Sequence, residues 1–109
     1  MFRLNVVLPK KIFEANKKKI NKYNNKYLNI LFDPITGSKD TNCIMTDVWL
    51  SMGDKNKDKI KYFKKFGVNE NIINIASNDV IFMHCLPAKR GLEVTSEVLD
   101  GKNSVILQQ

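Results

Sequence analysis

Hydrophobic positions along this chain fall into two alternating rhythms, short continuous apolar runs and longer stretches with helical spacing. The runs Leu4-Asn5-Val6-Val7-Leu8, Tyr27-Leu28-Asn29-Ile30-Leu31-Phe32, Cys43-Ile44-Met45-Thr46-Asp47-Val48, Val80-Ile81-Phe82-Met83 and Ser104-Val105-Ile106-Leu107 predict β-strands. Their near-continuous apolar character fits strands of a parallel sheet, which are buried on both faces. Between them, Ile12, Phe13, Ile20, Tyr23 and Tyr27 recur at helical intervals and predict a helix from Lys10 to about Tyr27, with lysines opposite the apolar stripe. Ile60, Phe63 and Phe66 predict a second helix over 57–66 ended by Gly67, and Ile72, Ile73 and Ile75 a third over 69–75.

Local signals punctuate the pattern. Pro9 stops the first strand, and Asp33-Pro34 reads as an N-cap with proline at the first helical position of a short turn limited by Gly37. Thr95 or Ser96 caps a one- to two-turn helix that Asp100-Gly101 ends. Strands alternating with helices predict an α/β fold, a parallel sheet flanked by helices. With 109 residues, one domain with a modest core is expected. No Gly-x-Gly-x-x-Gly or Walker-type loop occurs, which excludes the standard dinucleotide and P-loop sites. The chain stops directly after the last predicted strand, at Gln108-Gln109, so that edge has no covering helix and the domain is expected to be incomplete.

Charge adds a hypothesis that the composition then weakens. A formal charge of +7 invites nucleic-acid binding, because cations neutralise phosphates and release counterions. The excess is nearly all lysine, however, with only Arg3 and Arg90 as arginines, and it accompanies many Asn and Ile residues, the set that adenine- and thymine-rich codons favour. No RNP-like aromatic pattern, zinc-finger spacing or Gly-x-x-Gly loop turns that charge into recognition. Neither a run of about eighteen apolar residues nor the layout of a secretory signal is found, so we expect a cytoplasmic protein with no membrane or nucleic-acid partner.

The chemistry gathers just past two strands, where open α/β sheets bind ligands. One segment is Asp47-Val48-Trp49-Leu50-Ser51-Met52-Gly53, the other Met83-His84-Cys85-Leu86-Pro87-Ala88. Cys85 could act as a nucleophile or an orienting donor, although a free cysteine is more often a buried packing residue. His84 and Cys85 are neighbours on a strand, so their side chains point to opposite faces unless a loop bends them together. Asp47 is either a turn cap or the partner of a cationic ligand, and Trp49 is a pocket wall or, more simply, a packing residue. Cys43 reads as a small core residue. Cys43 and Cys85 share no Cys-x-x-Cys motif, and one histidine leaves too few ligands for a zinc site, so no metal is expected and both cysteines read as free thiols.

These two segments together resemble the ornithine carbamoyltransferase family, whose second domain carries Asp-x-x-x-Ser-Met-Gly and His-Cys-Leu-Pro in this order. The likeness continues through Arg90-Gly91, Glu93-Val94-Thr95, Asp100-Gly101 and Ser104-Val105. It implies a Rossmann-like sheet and transfer of the carbamoyl group of carbamoyl phosphate to the δ-amine of L-ornithine, without metal or organic cofactor. Carried over by position, Asp47, Ser51 and Met52 would bind ornithine, while Cys85 and Leu86 would contact carbamoyl phosphate, with Cys85 also beside the attacking amine. His84 and Pro87 would support that loop, and Leu86-Pro87 would be a cis peptide. The family's Ser-x-Arg-Thr, His-Pro-x-Gln and Ala-Glu-Asn-Arg segments are absent here. The resemblance therefore implies that residues 1–109 are part of the ornithine-binding domain without the carbamoyl-phosphate domain, and that the complete enzyme is a homotrimer. A standalone α/β binding module is the alternative, and a basic nucleic-acid binder the remaining one. The residues leave arginine synthesis and citrulline breakdown equally open.

Overall fold

A computed structural model describes residues 3–23, 26–50 and 59–107. Its strands are β1 (Leu4–Val7), β2 (Leu28–Leu31), β3 (Cys43–Thr46) and β4 (Ile81–His84). The helices are α1 (Lys10–Ala15), α2 (Lys17–Asn21), α3 (Pro34–Ser38), α4 (Lys59–Phe63), α5 (Glu70–Ile75) and α6 (Ser96–Leu99), with a 3-10 turn at Lys64–Phe66. The α/β class expected from the alternation holds. Rather than one continuous ladder, the described residues form two parallel pairs, β1 with β2 and β3 with β4. Leu4 pairs with Leu28 and Val7 with Leu31, while Cys43 pairs with Ile81 and Thr46 with His84.

Two expected elements differ. The helix beginning at Lys10 breaks at Asn16, whose backbone leaves helical geometry while its side-chain amide donates to Ile12 O at 2.8 Å. Asparagine competes for backbone groups in this way, and the lysines that follow have no acidic residue in the first turn of either helix to offset their repulsion. The last run does not become a strand. Phe82 N–H donates to Asn103 O at 2.8 Å and Val105 N–H to Phe82 O at 3.0 Å, a single parallel bridge at Ser104 before the chain turns.

Capping follows the sequence closely. Asp33 accepts from the amides of Ile35 and Thr36 with Pro34 at the helix start, and Thr95 accepts from Val98 N–H at 3.3 Å. Asn69 caps α5 through Ile72 N–H at 3.0 Å.

The core sits on one face of the β3–β4 pair. Ile44 and Phe82 turn into it and meet Val68, Ile72, Ala76, Val80, Val94 and Val98 from α5, α6 and the connecting loops. On the opposite face Cys43, Met45 and Ile81 are exposed, so Cys43 is not the core residue its apolar run predicts. The alternation along β3 puts Cys43 on the side away from Ile44, and nothing among the described residues buries that side. None of the described helices is long and apolar enough to cross a membrane.

Candidate functional site

Thr46 and His84 are register partners at the carboxyl ends of β3 and β4, and Cys85 N–H extends the ladder to Thr46 O at 3.3 Å. The Asp47 and Cys85 loops therefore leave adjacent strand ends together, as their sequence positions predict. Beyond that point the strand geometry separates neighbours: His84 is fully buried and Cys85 is exposed.

His84 organises the turn. Its Nδ1 accepts from Leu86 N–H at 2.7 Å, which puts the ring proton on Nε2, and Nε2 lies 2.8 Å from Glu93 Oε1. The same Glu93 Oε1 accepts from Lys89 N–H at 2.7 Å. One buried histidine and one buried carboxylate thus hold the backbone at both ends of the segment from Leu86 to Lys89. Leu86 adopts a left-handed conformation with φ of 54° and its bond to Pro87 is cis, as the resemblance leads one to expect. A leucine at positive φ is sterically disfavoured, and the His84 contact to its amide is the local interaction that fixes it.

These contacts rule out a His84–Cys85 dyad. Both ring nitrogens of His84 already face other groups inside the fold, whereas Cys85 is exposed. Cys85 and Leu86 stand exposed at the surface of the turn, with Leu86 at 46%. Beside them opens a cleft of about 510 Å³ bordered by Leu86, Ala88, Arg90, Asp100 and Ile106. On its rim Arg90 makes a two-pronged pair with Asp100, at 2.6 and 2.9 Å. That hydrogen bond is the main cause holding the Asp100 carboxyl below its usual range and the Arg90 guanidinium above its own.

On the other loop, Asp47 is exposed and its Oδ1 accepts from Val48 N–H at 2.7 Å. This bond reaches only the next amide, whereas a cap accepts from two or three residues on, and the exposed carboxylate can still meet a cation from solvent. Trp49 stacks on Phe63 with ring centroids 5.6 Å apart and planes inclined by 19°, so it packs α4 against the loop. Ser51 and Met52 lie outside the described residues. Among the described residues no group of three or more His, Cys, Asp or Glu side chains could hold a metal ion.

Glu93 is the residue of this candidate site that the residue-by-residue reading overlooked. It is fully buried, and among the described residues its Oε2 has no hydrogen-bond partner. A signal existed in the flanking Leu92 and Val94, because a carboxylate between two apolar residues must find a buried partner and the chain holds a single histidine.

Comparison with known proteins fits this arrangement. The family profile "Aspartate/ornithine carbamoyltransferase, Asp/Orn binding domain" matches residues 1–109. The catabolic ornithine carbamoyltransferase of Thermoplasma acidophilum is 46% identical over 103 residues, covering 93% of this chain and 34% of the relative. That of Methanosarcina mazei is 53% identical over 79 residues, covering 71% of this chain and 26% of the relative. Among solved structures, the ornithine carbamoyltransferase of Pyrococcus furiosus superposes with a TM-score of 0.77 at 36% identity, covering 97% of this chain and 36% of that one. The enzyme of Burkholderia thailandensis superposes with a TM-score of 0.80 at 31% identity, covering 97% and 33%. The chain thus spans about a third of the length of the relatives it matches. The match over its whole length, at the strand ends that carry Asp47 and the braced His84-Cys85-Leu86-Pro87 turn, makes this chain a member of the aspartate/ornithine carbamoyltransferase family.

Proposed function

We propose that this chain is the ornithine-binding part of an ornithine carbamoyltransferase, a transferase that moves the carbamoyl group of carbamoyl phosphate to L-ornithine. The δ-amine nitrogen attacks the carbamoyl carbon, the carbon–oxygen bond to phosphate breaks, the amine loses a proton, and citrulline and phosphate leave. Asp47, Ser51 and Met52 take ornithine, the Asp47 carboxylate meeting a cationic amine. Cys85 and Leu86 face the carbamoyl group, the thiol beside the attacking amine where it tunes protonation. His84, Glu93 and Pro87 fix the turn that presents them. Most of the acceleration comes from orienting two substrates and stabilising charge on the leaving phosphate. No metal or organic cofactor takes part.

The observation that carries this reading is the buried His84–Glu93 brace, which holds an exposed thiol and a left-handed leucine beside the Asp47 loop. Phosphate itself must be held elsewhere. Arg90 is committed to Asp100 and only Arg3 remains as a second guanidinium, so a dianionic substrate lacks its usual bidentate partners here. In this reading a separate carbamoyl-phosphate domain supplies them, in a cytoplasmic homotrimer.

The test is a chimaera in which this chain replaces the matching segment of the Thermoplasma acidophilum relative, assayed for citrulline. Activity is expected with ornithine and at least about a hundredfold less kcat/KM with putrescine, because groups meant for the α-amine and α-carboxylate would stay unpaired. Asp47→Ala or Cys85→Ala should lower kcat/KM with ornithine by a similar factor. The 109-residue chain alone should form no measurable citrulline. Equal use of putrescine, or no loss in Asp47→Ala, would refute the assignment of the ornithine loop.

A further inference from the structure

Away from the Asp47 and Cys85 loops, a second cleft of about 420 Å³ opens where the turn after β2 meets the 3-10 turn and the start of α5. Phe32, Pro34 and Ile35 line it from the first segment, Phe66 and Ile72 from the others, and Lys65 stands at its border. Clefts that take small ligands or single anchoring side chains run from roughly 300 Å³ upward. Phe32 and Ile35 remain 42% and 61% exposed, so this apolar lining faces solvent. Apolar groups gathered in one concave place mark a surface that gains by being covered, unlike the same groups scattered singly.

Lysines border the cleft from two directions. Lys61, Lys64 and Lys65 follow one another along α4 and the 3-10 turn, while Lys10 and Lys11 open α1, and all five are exposed. Contacts show that α1 reaches the segments on both sides: Phe13 packs against Phe32 with ring centroids 5.4 Å apart, and Lys11 Nζ lies 5.5 Å from the centre of the Tyr62 ring. Lys61 Nζ sits over that ring as well, at 5.2 Å. An ammonium over a ring keeps N–H groups for an anion on its outer side. Glu14 is the one acidic residue on α1, α2, α4 and the 3-10 turn. Asp33 lines the cleft, but its carboxylate is met by the Ile35 and Thr36 amides at 3.3 and 3.2 Å and by the Thr36 hydroxyl at 2.6 Å. With Glu70 added from the head of α5, the lysines still prevail.

We infer that this cleft docks an acidic polypeptide segment carrying one large apolar side chain, which enters between Phe32 and Phe66 while carboxylates on either side of it meet the lysines. A buried apolar anchor inside a charged rim is the arrangement that concentrates binding energy and steers the encounter. The shape of the surface selects this occupant. A phosphate backbone would use the lysines and leave the apolar cleft unfilled, and the patch has no arginine for bidentate contacts. A bilayer is flat and would span the concavity. A second copy of this chain carries the same charge of +7 and is repelled. None of the cleft residues belongs to the ornithine or carbamoyl assignment, so the inference stands apart from it.

NMR titration of the labelled chain tests it, the probe being a short blocked peptide with phenylalanine at its centre and glutamates on both sides. The expected result is saturable binding with a Kd under about 1 mM, and amide shifts at Phe32, Ile35, Phe66 and Gly67 without shifts at Cys85 or Arg90. Serine in place of the central phenylalanine should weaken binding at least about tenfold, since the anchor supplies the apolar burial. Lys64→Gln together with Lys65→Gln should weaken it about fivefold. Ile35→Ser alters a largely exposed position, leaves the core intact and should have a similar effect. Equal binding of the serine peptide would overturn the inference, because charge alone would then explain it. So would shifts centred on Cys85 and Arg90, which belong to the other cleft. Equal or tighter binding at the same amides by a short oligothymidylate, or by vesicles of phosphatidylserine and phosphatidylcholine, would make nucleic acid or membrane the occupant and overturn it. Absence of saturable binding by the phenylalanine peptide would overturn it too.

Discussion

The β3–β4 half and the β1–β2 half use the same kind of four-residue parallel strand and reach different ends. Phe82 and His84 are fully buried on β4, whereas β1 and β2 bury no residue. What separates the halves is the cover. α5, α6 and the loop carrying Val94 close over one face of β3–β4, while α1 and α2 are short, lysine-rich and without a buried residue. The candidate site follows the cover, because a buried histidine and carboxylate can hold a turn rigidly only where water is excluded. The candidate site sits at the rim of the better-packed half.

The largest effect that would expose this difference is loss of core volume. Phe82→Ala should cost about 3–5 kcal/mol in urea unfolding, since it empties a fully buried site. Phe32→Ala, at a ring 42% exposed and 5.4 Å from Phe13, should cost under about 1.5 kcal/mol. Equal costs would show that the two halves share one core.

A smaller effect sharpens the account of the turn. Glu93→Ala strips a buried partner from both His84 Nε2 and Lys89 N–H and should cost about 2–4 kcal/mol. Glu93→Gln keeps an oxygen for both donors and should cost about 1 kcal/mol. Urea unfolding compares the two. If Gln is as damaging as Ala, the brace does not work through those hydrogen bonds.

The smallest effect lies at the surface. Asp100 has a folded pKa below its ordinary value of 3.8, chiefly through its hydrogen bond to Arg90. A depressed carboxyl contributes stability that is present above the unfolded pKa and lost as pH falls through the folded one. Thermal unfolding of wild type and Asp100→Asn should therefore differ at neutral pH and converge as the solution is acidified below the ordinary carboxylate range. Exposure of both partners, 49% and 64%, keeps the difference slight. A gap that widens on acidification would contradict the sign.

Much of this was legible from local chemistry. Apolar runs located four strands, and Asp33-Pro34 and Thr95 announced helix starts, because capping depends on a few adjacent residues. The sequence by itself also placed Asp47 and Cys85 just past paired strands and, through the wording of the two loops, pointed to the family. Tertiary structure decided the rest. Whether Cys43 is buried depends on which face of β3 is covered, and whether Ser104-Val105-Ile106-Leu107 pairs at length depends on where the chain turns. Glu93 found His84 nine positions away only after the loop closed on itself. Periodicity reports which residues want to be inside; it carries no account of which partner arrives to cover them, since burial is a property of two surfaces and the sequence pattern describes one.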